Sequence, residues 1–346
     1  MPEGNCFMRK IMAELISVVL ALAFVFASAG CSAREYDYKL ETTNASAANT
    51  AAYQSEAVLY SRKEFDSRRY PYFAMLSETE KDVYSLIYEE LSQGNRKFEC
   101  PVNANSDQLS KAVDAMLNDH PEIFWLDNNY GFTYDPADGS IKEITFKFFD
   151  FADTPEKLEK ARAEFNSATD SLVAGALTYS TVAERELYFH DYICENTEYD
   201  EEAPYNQSAY SALVLHRSVC AGYARCFQYL MQKTGAACYY VSGRTEGLVT
   251  DTGEEGDGMS NGRHSWNIVL IDGEFYNIDC LWDDTASDVY GNLIYPFFNL
   301  SDEALIHHAR SGMSVYLPDC NGTDFKYSNM FGDTVEADEL VFTDAA

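Results

Sequence analysis

Residues 218–233 read SVCAGYARCFQYLMQK, and residues 263–284 read RHSWNIVLIDGEFYNIDCLWDD. In the first stretch Tyr223 or Ala224, Phe227 and Leu230 or Met231 recur at three- and four-residue steps, and Gly235 follows as a stop signal. This spacing predicts a helix with Cys220 in its first turn. There the unpaired backbone N–H groups and the helix dipole favour a thiolate over a thiol. Gly222 would allow close approach at that end. A buried structural cysteine is the alternative use of such a position.

The second stretch reads as two strands, HSWNIVLI and EFYNIDCL, joined by the hairpin signal Asp272-Gly273. A two-residue turn pairs Ile271 with Glu274, so Asp279 faces Trp266 and His264 faces Leu281. Side chains alternate along a strand, which puts His264 and Trp266 on one face. Asp279 is then the diagonal neighbour of His264 on that face, roughly 7 Å away at the backbone and within side-chain reach. A register slip of one residue would separate them. The stretch thus specifies a His–carboxylate pair, with a thiol on the preceding helix. Such a trio allows a base to activate a nucleophile while a third group orients the base.

The blocks VCAGYARCFQYLMQKTG, RHSWNIV and YNIDCLWDD, continuing through FFNLSDEALIHH, resemble the transglutaminase-like superfamily of cysteine acyl-transfer enzymes. The resemblance implies an α+β fold with a papain-like transglutaminase core, a nucleophile helix packed on an antiparallel sheet. It carries the nucleophile onto Cys220, the base onto His264 and the orienting acid onto Asp279. Related papain-like enzymes place a glutamine upstream of the nucleophile, which makes Gln207 an oxyanion candidate beside the Cys220 backbone N–H; a turn residue is its other reading. Members act as proteases, cross-linkers, deamidases or noncatalytic scaffolds. The implied chemistry is attack on a peptide or glutamine carboxamide through a thioester, with no cofactor and no metal. A noncatalytic peptide- or cell-wall-binding module is the alternative.

The chain has 346 residues and a formal net charge of −31. Glu3 and Glu14 balance Arg9 and Lys10 in the first thirty-one residues, so the remainder keeps the whole charge. Such a surface argues against nucleic-acid partners and adsorption to anionic lipid. Arg9-Lys10, the apolar run Leu15 to Ala27 and the small residues before Cys31 have the layout of a secretory signal. The apolar run is short of the about 20 residues that span a bilayer comfortably. Ala29-Gly30-Cys31 resembles a bacterial lipobox, which implies a chain lipidated at Cys31 on the outer face of the cell membrane. A cleaved secretory signal or an uncleaved anchor is the alternative.

The domains follow: 1–30 signal peptide, 31–57 a flexible Ala/Asn/Thr/Ser-rich tether, 58–176 a small α+β accessory domain, and 177–346 the catalytic domain. Capping boxes at Ser77-x-x-Glu80 and Thr181-x-x-Glu184 open two helices. Thr154-Pro155 opens another, with Leu158, Ala161, Phe165, Ala168 and Leu172 at helical spacing. Tyr130–Tyr134 and Ile144, Phe146 and Phe148 read as a hairpin. The acidic, glycine-rich loop entering at His264 is a solvated connection or a rim over the cleft.

Of nine cysteines, Cys100, Cys194, Cys226, Cys238, Cys280 and Cys320 lie beyond Cys6, Cys31 and Cys220. Their even number permits disulfides, while Cys226, Cys238 and Cys280, inside predicted core elements, are expected reduced and buried. No CxxC pair suggests zinc. Asp251–Asp257 lacks calcium-loop spacing. His307-His308 is expected on a helix, where neighbours point about 100° apart, and both are read as surface or cap-proximal residues.

Overall fold

The computed structural model describes residues 62–245 and 262–340, with two short strands, β1 (Ala21–Val25) and β2 (Lys39–Thr42). Cys31, Asp251–Asp257 and most of the loop before His264 lie outside the described residues. No helix among the described residues is long and apolar enough to cross a membrane.

The N-terminal half is built where the capping signals stand. Helix α1 (Pro71–Ala74) is a single turn. Helix α2 (Glu78–Ser92) starts at Ser77, with the Ser77–Glu80 box formed in both directions. It buries Val83, Leu86, Ile87 and Leu91. Helix α3 (Ser106–Asp119) is capped by Asn105, whose side chain accepts from the Gln108 N–H at 3.0 Å. Strands β3 (Lys97–Glu99), β4 (Leu126–Tyr134) and β5 (Ile141–Phe148) join β1 and β2 in a sheet of order β2-β1-β4-β5-β3. Helix α4 (Pro155–Ala176) starts at Thr154-Pro155 and buries Leu158, Ala161, Phe165 and Leu172. The hairpin and the helices at Ser77, Thr154 and Thr181 stand where the sequence reading put them.

Helix α5 (Val182–Asn196) begins at the Thr181 box. After β6 (Glu198–Tyr199) and its parallel partner β7 (Arg217–Ser218) comes helix α6 (Cys220–Lys233). Strands β8 (Cys238–Thr245), β9 (Arg263–Ile271) and β10 (Glu274–Ile278), with β11 (His308–Arg310), make an antiparallel sheet of order β10-β9-β8-β11. Helix α7 (Cys280–Tyr290) follows β10 directly. The class is α+β, with the Cys220 helix laid on an antiparallel sheet. Asn267 Nδ2 on β9 ties these layers together, donating to the carbonyls of Ala224 on α6 (3.0 Å) and Tyr239 on β8 (3.2 Å).

The main apolar core runs from Tyr72 to Ala337 and joins both halves. Polar links cross it: the Tyr72 hydroxyl donates to the Tyr240 carbonyl (2.6 Å), Tyr239 to that of Arg68 (2.8 Å), and Gln228 Nε2 to that of Asn118 (2.8 Å). The described cysteines form no disulfide with one another. Cys226, Cys238 and Cys280 are buried thiols.

Glu186 on α5 is wholly buried; Oε2 accepts from Asn299 Nδ2 at 2.8 Å and Oε1 has no partner. Burial pushes its carboxyl up to about 8, against the Asn299 hydrogen bond and the His190 charge. A folded-state value raised above the ordinary one favours folding most below about pH 4.3, and that advantage disappears as pH climbs towards about 8. Glu186→Gln is therefore expected to gain on the wild type by at most about 1.4 kcal/mol per pH unit across this range. Paired melts at pH 5 and pH 8.5 check it; an unchanged difference in Tm would mean Glu186 is ionised in the folded protein.

Candidate active site

Cys220 is the first residue of α6 and is 6 % exposed. Its N-cap is Val219, which has no side-chain oxygen to cap the first-turn amides. The turn is seated tightly. A Cβ at Gly222 would lie 1.8 Å from Ser218 Oγ and 2.7 Å from the Asn206 carbonyl. Ser218 Oγ donates to that same carbonyl at 2.7 Å, and Arg225 Nη1 to the Gln207 carbonyl at 2.6 Å. Glycine is needed at 222 for this close approach. Gln207 thus flanks the helix start through its backbone. Its side-chain amide reaches Asn206 Oδ1 at 3.4 Å and lines a small cavity with Phe124, Phe149 and Arg225.

The hairpin has the predicted register, with Ile271 opposite Glu274 and Ile278 opposite Asn267. His264 and Asp279 meet, His264 Nε2 against Asp279 Oδ2. Both are essentially without exposure. His264 Nδ1 is buried with no hydrogen-bond partner, so the nitrogen remote from Asp279 is the one not engaged.

The strand does not run through Leu281, as the apolar pattern of EFYNIDCL suggests. It stops at Ile278 because Asp279 caps α7, its Oδ1 accepting from the N–H groups of Leu281 and Trp282, both at 3.1 Å. Leu281 is therefore a helical residue and does not face His264 across a ladder. An Asp followed by Cys-Leu-Trp-Asp-Asp fits a capped helix as well as a strand end, and period-two reading does not separate them.

His308 is the residue the sequence reading missed. It is neither superficial nor helical: it starts β11, its side chain is wholly buried, and Nε2 lies 3.0 Å from Asp279 Oδ2. The backbone turns at His307, with φ of 63°. His307 belongs to the turn and His308 to the strand, so the two side chains of the pair leave the backbone in different conformations and only that of His308 is placed against Asp279.

Burial alone would raise the Asp279 carboxyl. The His264 charge and hydrogen bonds from His264 and His308 overcome it and hold Asp279 well below the usual carboxylate range. Helix α7 is fixed farther along too. Asp283 Oδ2 faces His190 Nε2 at 2.9 Å, Asp283 Oδ1 accepts from the Phe297 N–H at 2.7 Å, and Asp284 accepts from the Tyr223 hydroxyl at 2.7 Å.

Other thiols are poorly suited to attack. Cys194 is partly exposed as a residue, yet its Sγ turns inward, 3.6 Å from His190 Nε2 and 3.3 Å from the Cys280 carbonyl. Burial pushes it up to about 11. Cys100, Cys226, Cys238, Cys280 and Cys320 are likewise raised, chiefly by burial.

His264, Asp279 and His308 offer ligand atoms within 4.8 Å of one another. A zinc ion would need them spread about a common point, each about 2.0–2.2 Å away. Instead both Nε2 atoms converge on one carboxylate oxygen, the arrangement of a hydrogen-bonded cluster.

Gly243 lies opposite His264 on β8. A Cβ there would fall 2.4 Å from the Trp266 ring and 2.4 Å from the Ala309 carbonyl on β11. Gly243→Ala is expected to cost about 1–3 kcal/mol or more through overpacking, and to displace β11 from the site. Thermal melting with near-ultraviolet dichroism of the tryptophans checks this; an unchanged melt would mean that Trp266 moves aside freely.

Residues 167–280 match the sequence profile of the transglutaminase-like superfamily, a span that holds Cys220, His264 and Asp279 and ends before His308. Kyphoscoliosis peptidase of Mus musculus is 27% identical over 162 residues, 43% of this chain and 24% of that protein. The Homo sapiens kyphoscoliosis peptidase is 28% identical over 178 residues, 48% of this chain and 26% of that one. The chain thus spans about a quarter of the length of these curated relatives. Among solved structures, a TGase is similar at 15% identity and a TM-score of 0.29, covering 40% of this chain and 41% of its own. Residues 167–280, about a third of the chain, are thus similar to the transglutaminase-like superfamily.

Proposed function

We propose that this protein is a cysteine acyl-transfer enzyme acting on peptide or glutamine carboxamide bonds, with Cys220 as nucleophile, His264 as base and Asp279 as orienting acid. The observation that carries the reading is the state of His264. One ring nitrogen is engaged by Asp279, and the other is buried and unpartnered on a sheet against which the Cys220 helix packs. An imidazole held through Nε2 in this way offers Nδ1 to a thiol proton.

In the proposed cycle the Cys220 thiol gives its proton to His264 Nδ1, and the sulfur attacks the substrate carbonyl. The first-turn N–H groups of α6 stabilise the oxyanion. Gln207 would join them only if its side chain swung from Asn206. His264 then protonates the departing amine or ammonia, leaving a thioester on Cys220. Water completes hydrolysis, and a lysine amine would complete cross-linking. The peptidase named among the relatives supports the hydrolytic branch. Incubation with a glutamine-containing peptide library, with and without an amine donor, tests the proposal by product mass. No cleavage, deamidation or amine incorporation in any pool would leave a noncatalytic binding module.

The proposed location is the outer face of a bacterial membrane, held by lipid on Cys31, with protein, peptide or wall-peptide substrates. Wild type is expected in the detergent phase on phase partitioning, and Cys31→Ala in the aqueous phase or unprocessed. Equal partitioning of both would exclude the lipid.

A further inference from the structure

His308 lies across β8 from His264. Gly243 is opposite both His264 on β9 and Arg310 on β11, and His308 is opposite Thr245. Period-two alternation puts these five residues on one face. Gly243 has no side chain, which leaves room for the Trp266 ring, and beside that ring the two imidazoles stand with centroids 5.2 Å apart. The His308 ring is lodged among Trp282, Trp266 and Phe297, at centroid distances of 4.4, 5.0 and 5.8 Å.

Both its ring nitrogens face pure acceptors: Nδ1 the Ile306 carbonyl at 2.9 Å, and Nε2 Asp279 Oδ2 at 3.0 Å. Each contact needs a hydrogen on nitrogen. Burial, helped by the His264 charge, holds the His308 pKa below the ordinary imidazole value although the hydrogen bond to Asp279 opposes it. A neutral ring has one such hydrogen; on Nε2 it is donated to Asp279 Oδ2. Asp279 in turn is met on Oδ1 by two backbone N–H groups and on Oδ2 by two imidazoles.

We propose that His308 is a positioning residue of the site, a second imidazole donor that fixes Asp279 Oδ2 where His264 must find it. Its kinetic consequence rests on the acyl-transfer reading; its structural content does not. Without His308, Oδ2 keeps one imidazole partner, and the carboxylate can turn about its cap on α7. The His264 ring then loses its fixed direction towards the thiol. His308 touches no reacting atom and acts only through Asp279.

The test uses the folded protein with His308→Phe, which keeps an aromatic ring in the cage, and His308→Gln, whose amide can donate to the same oxygen. Two readouts are taken: low-field imidazole N–H proton resonances, and the rate of Cys220 alkylation by iodoacetamide, measured by mass on the Cys220 peptide. Phe is expected to remove the His308 resonance, shift that of His264 and slow alkylation about 10–100-fold, as loss of an outer hydrogen-bond partner does elsewhere. Gln is expected to recover the rate to within about fivefold by restoring a donor. Wild-type alkylation in the Phe variant with the His264 resonance unmoved overturns the proposal. So does a parallel loss of rate and melting temperature in both variants, which would make His308 a packing residue. If Cys220 of the wild type alkylates no faster than a free thiol, the acyl-transfer reading fails, and the proton resonances still decide whether His308 holds Asp279.

Discussion

Alanine at Cys220 is expected to abolish thioester formation, with any remaining turnover about 10⁴–10⁶-fold below wild type by comparison with other nucleophile deletions. No described thiol can replace it. Cys226 lies on the same helix, but fully buried and nearly two turns deeper, and burial pushes its thiol far up. Cys194 has a histidine at 3.6 Å, but that ring is committed to Asp283. Alanine is a good helix former, so the fold should survive the change. The measurement is mass trapping of an acyl-enzyme with a glutamine peptide, beside a thermal melt. Full activity in the alanine variant would show that the nucleophile is elsewhere.

Asp279→Asn should be the next most damaging change. One carboxylate oxygen caps α7 and the other takes both histidines. An asparagine can keep its carbonyl on the cap, but its amide then presents N–H groups to two imidazole donors. His264 loses its orienting acceptor, and a fall of about 10²–10⁴ in Cys220 acylation is expected, with the fold retained. Asp279→Ala removes the cap as well and takes the shared carboxylate from two buried imidazoles, which should cost about 3–5 kcal/mol. Acid stability follows the same residue. A depressed carboxyl lends stability above about pH 3.9 that is lost as pH falls through its lower folded value, and Asp279→Asn should remove that dependence. Single-turnover acylation at pH 7 and melts from pH 5 down to pH 2 separate these effects; wild-type acylation by the asparagine variant would reduce the triad to a dyad.

Much of this site was legible because it depends on local chemistry. Asp272-Gly273 set the hairpin, and pairing Ile271 with Glu274 brought Asp279 to His264. The boxes at Ser77 and Thr181 set helix starts in the same way. The extent of β10 was misread because Asp279 ends the strand by a cap, while the residues after it stay apolar. His308 was missed because its role depends on which strand lies beside β8, a long-range pairing that no local spacing encodes. Gln207 was placed by family analogy, and its side chain turns to Asn206. The notch at Gly243 has meaning only once three strands are assembled.

The double duty of Asp279 also couples dynamics to chemistry. Because one side chain both starts α7 and holds the histidines, opening of the site and fraying of that helix are a single cooperative event. The Leu281 and Trp282 amides, bonded to Asp279 Oδ1, therefore report on the integrity of the site by hydrogen exchange. Their protection should rise and fall with that of the His264 strand.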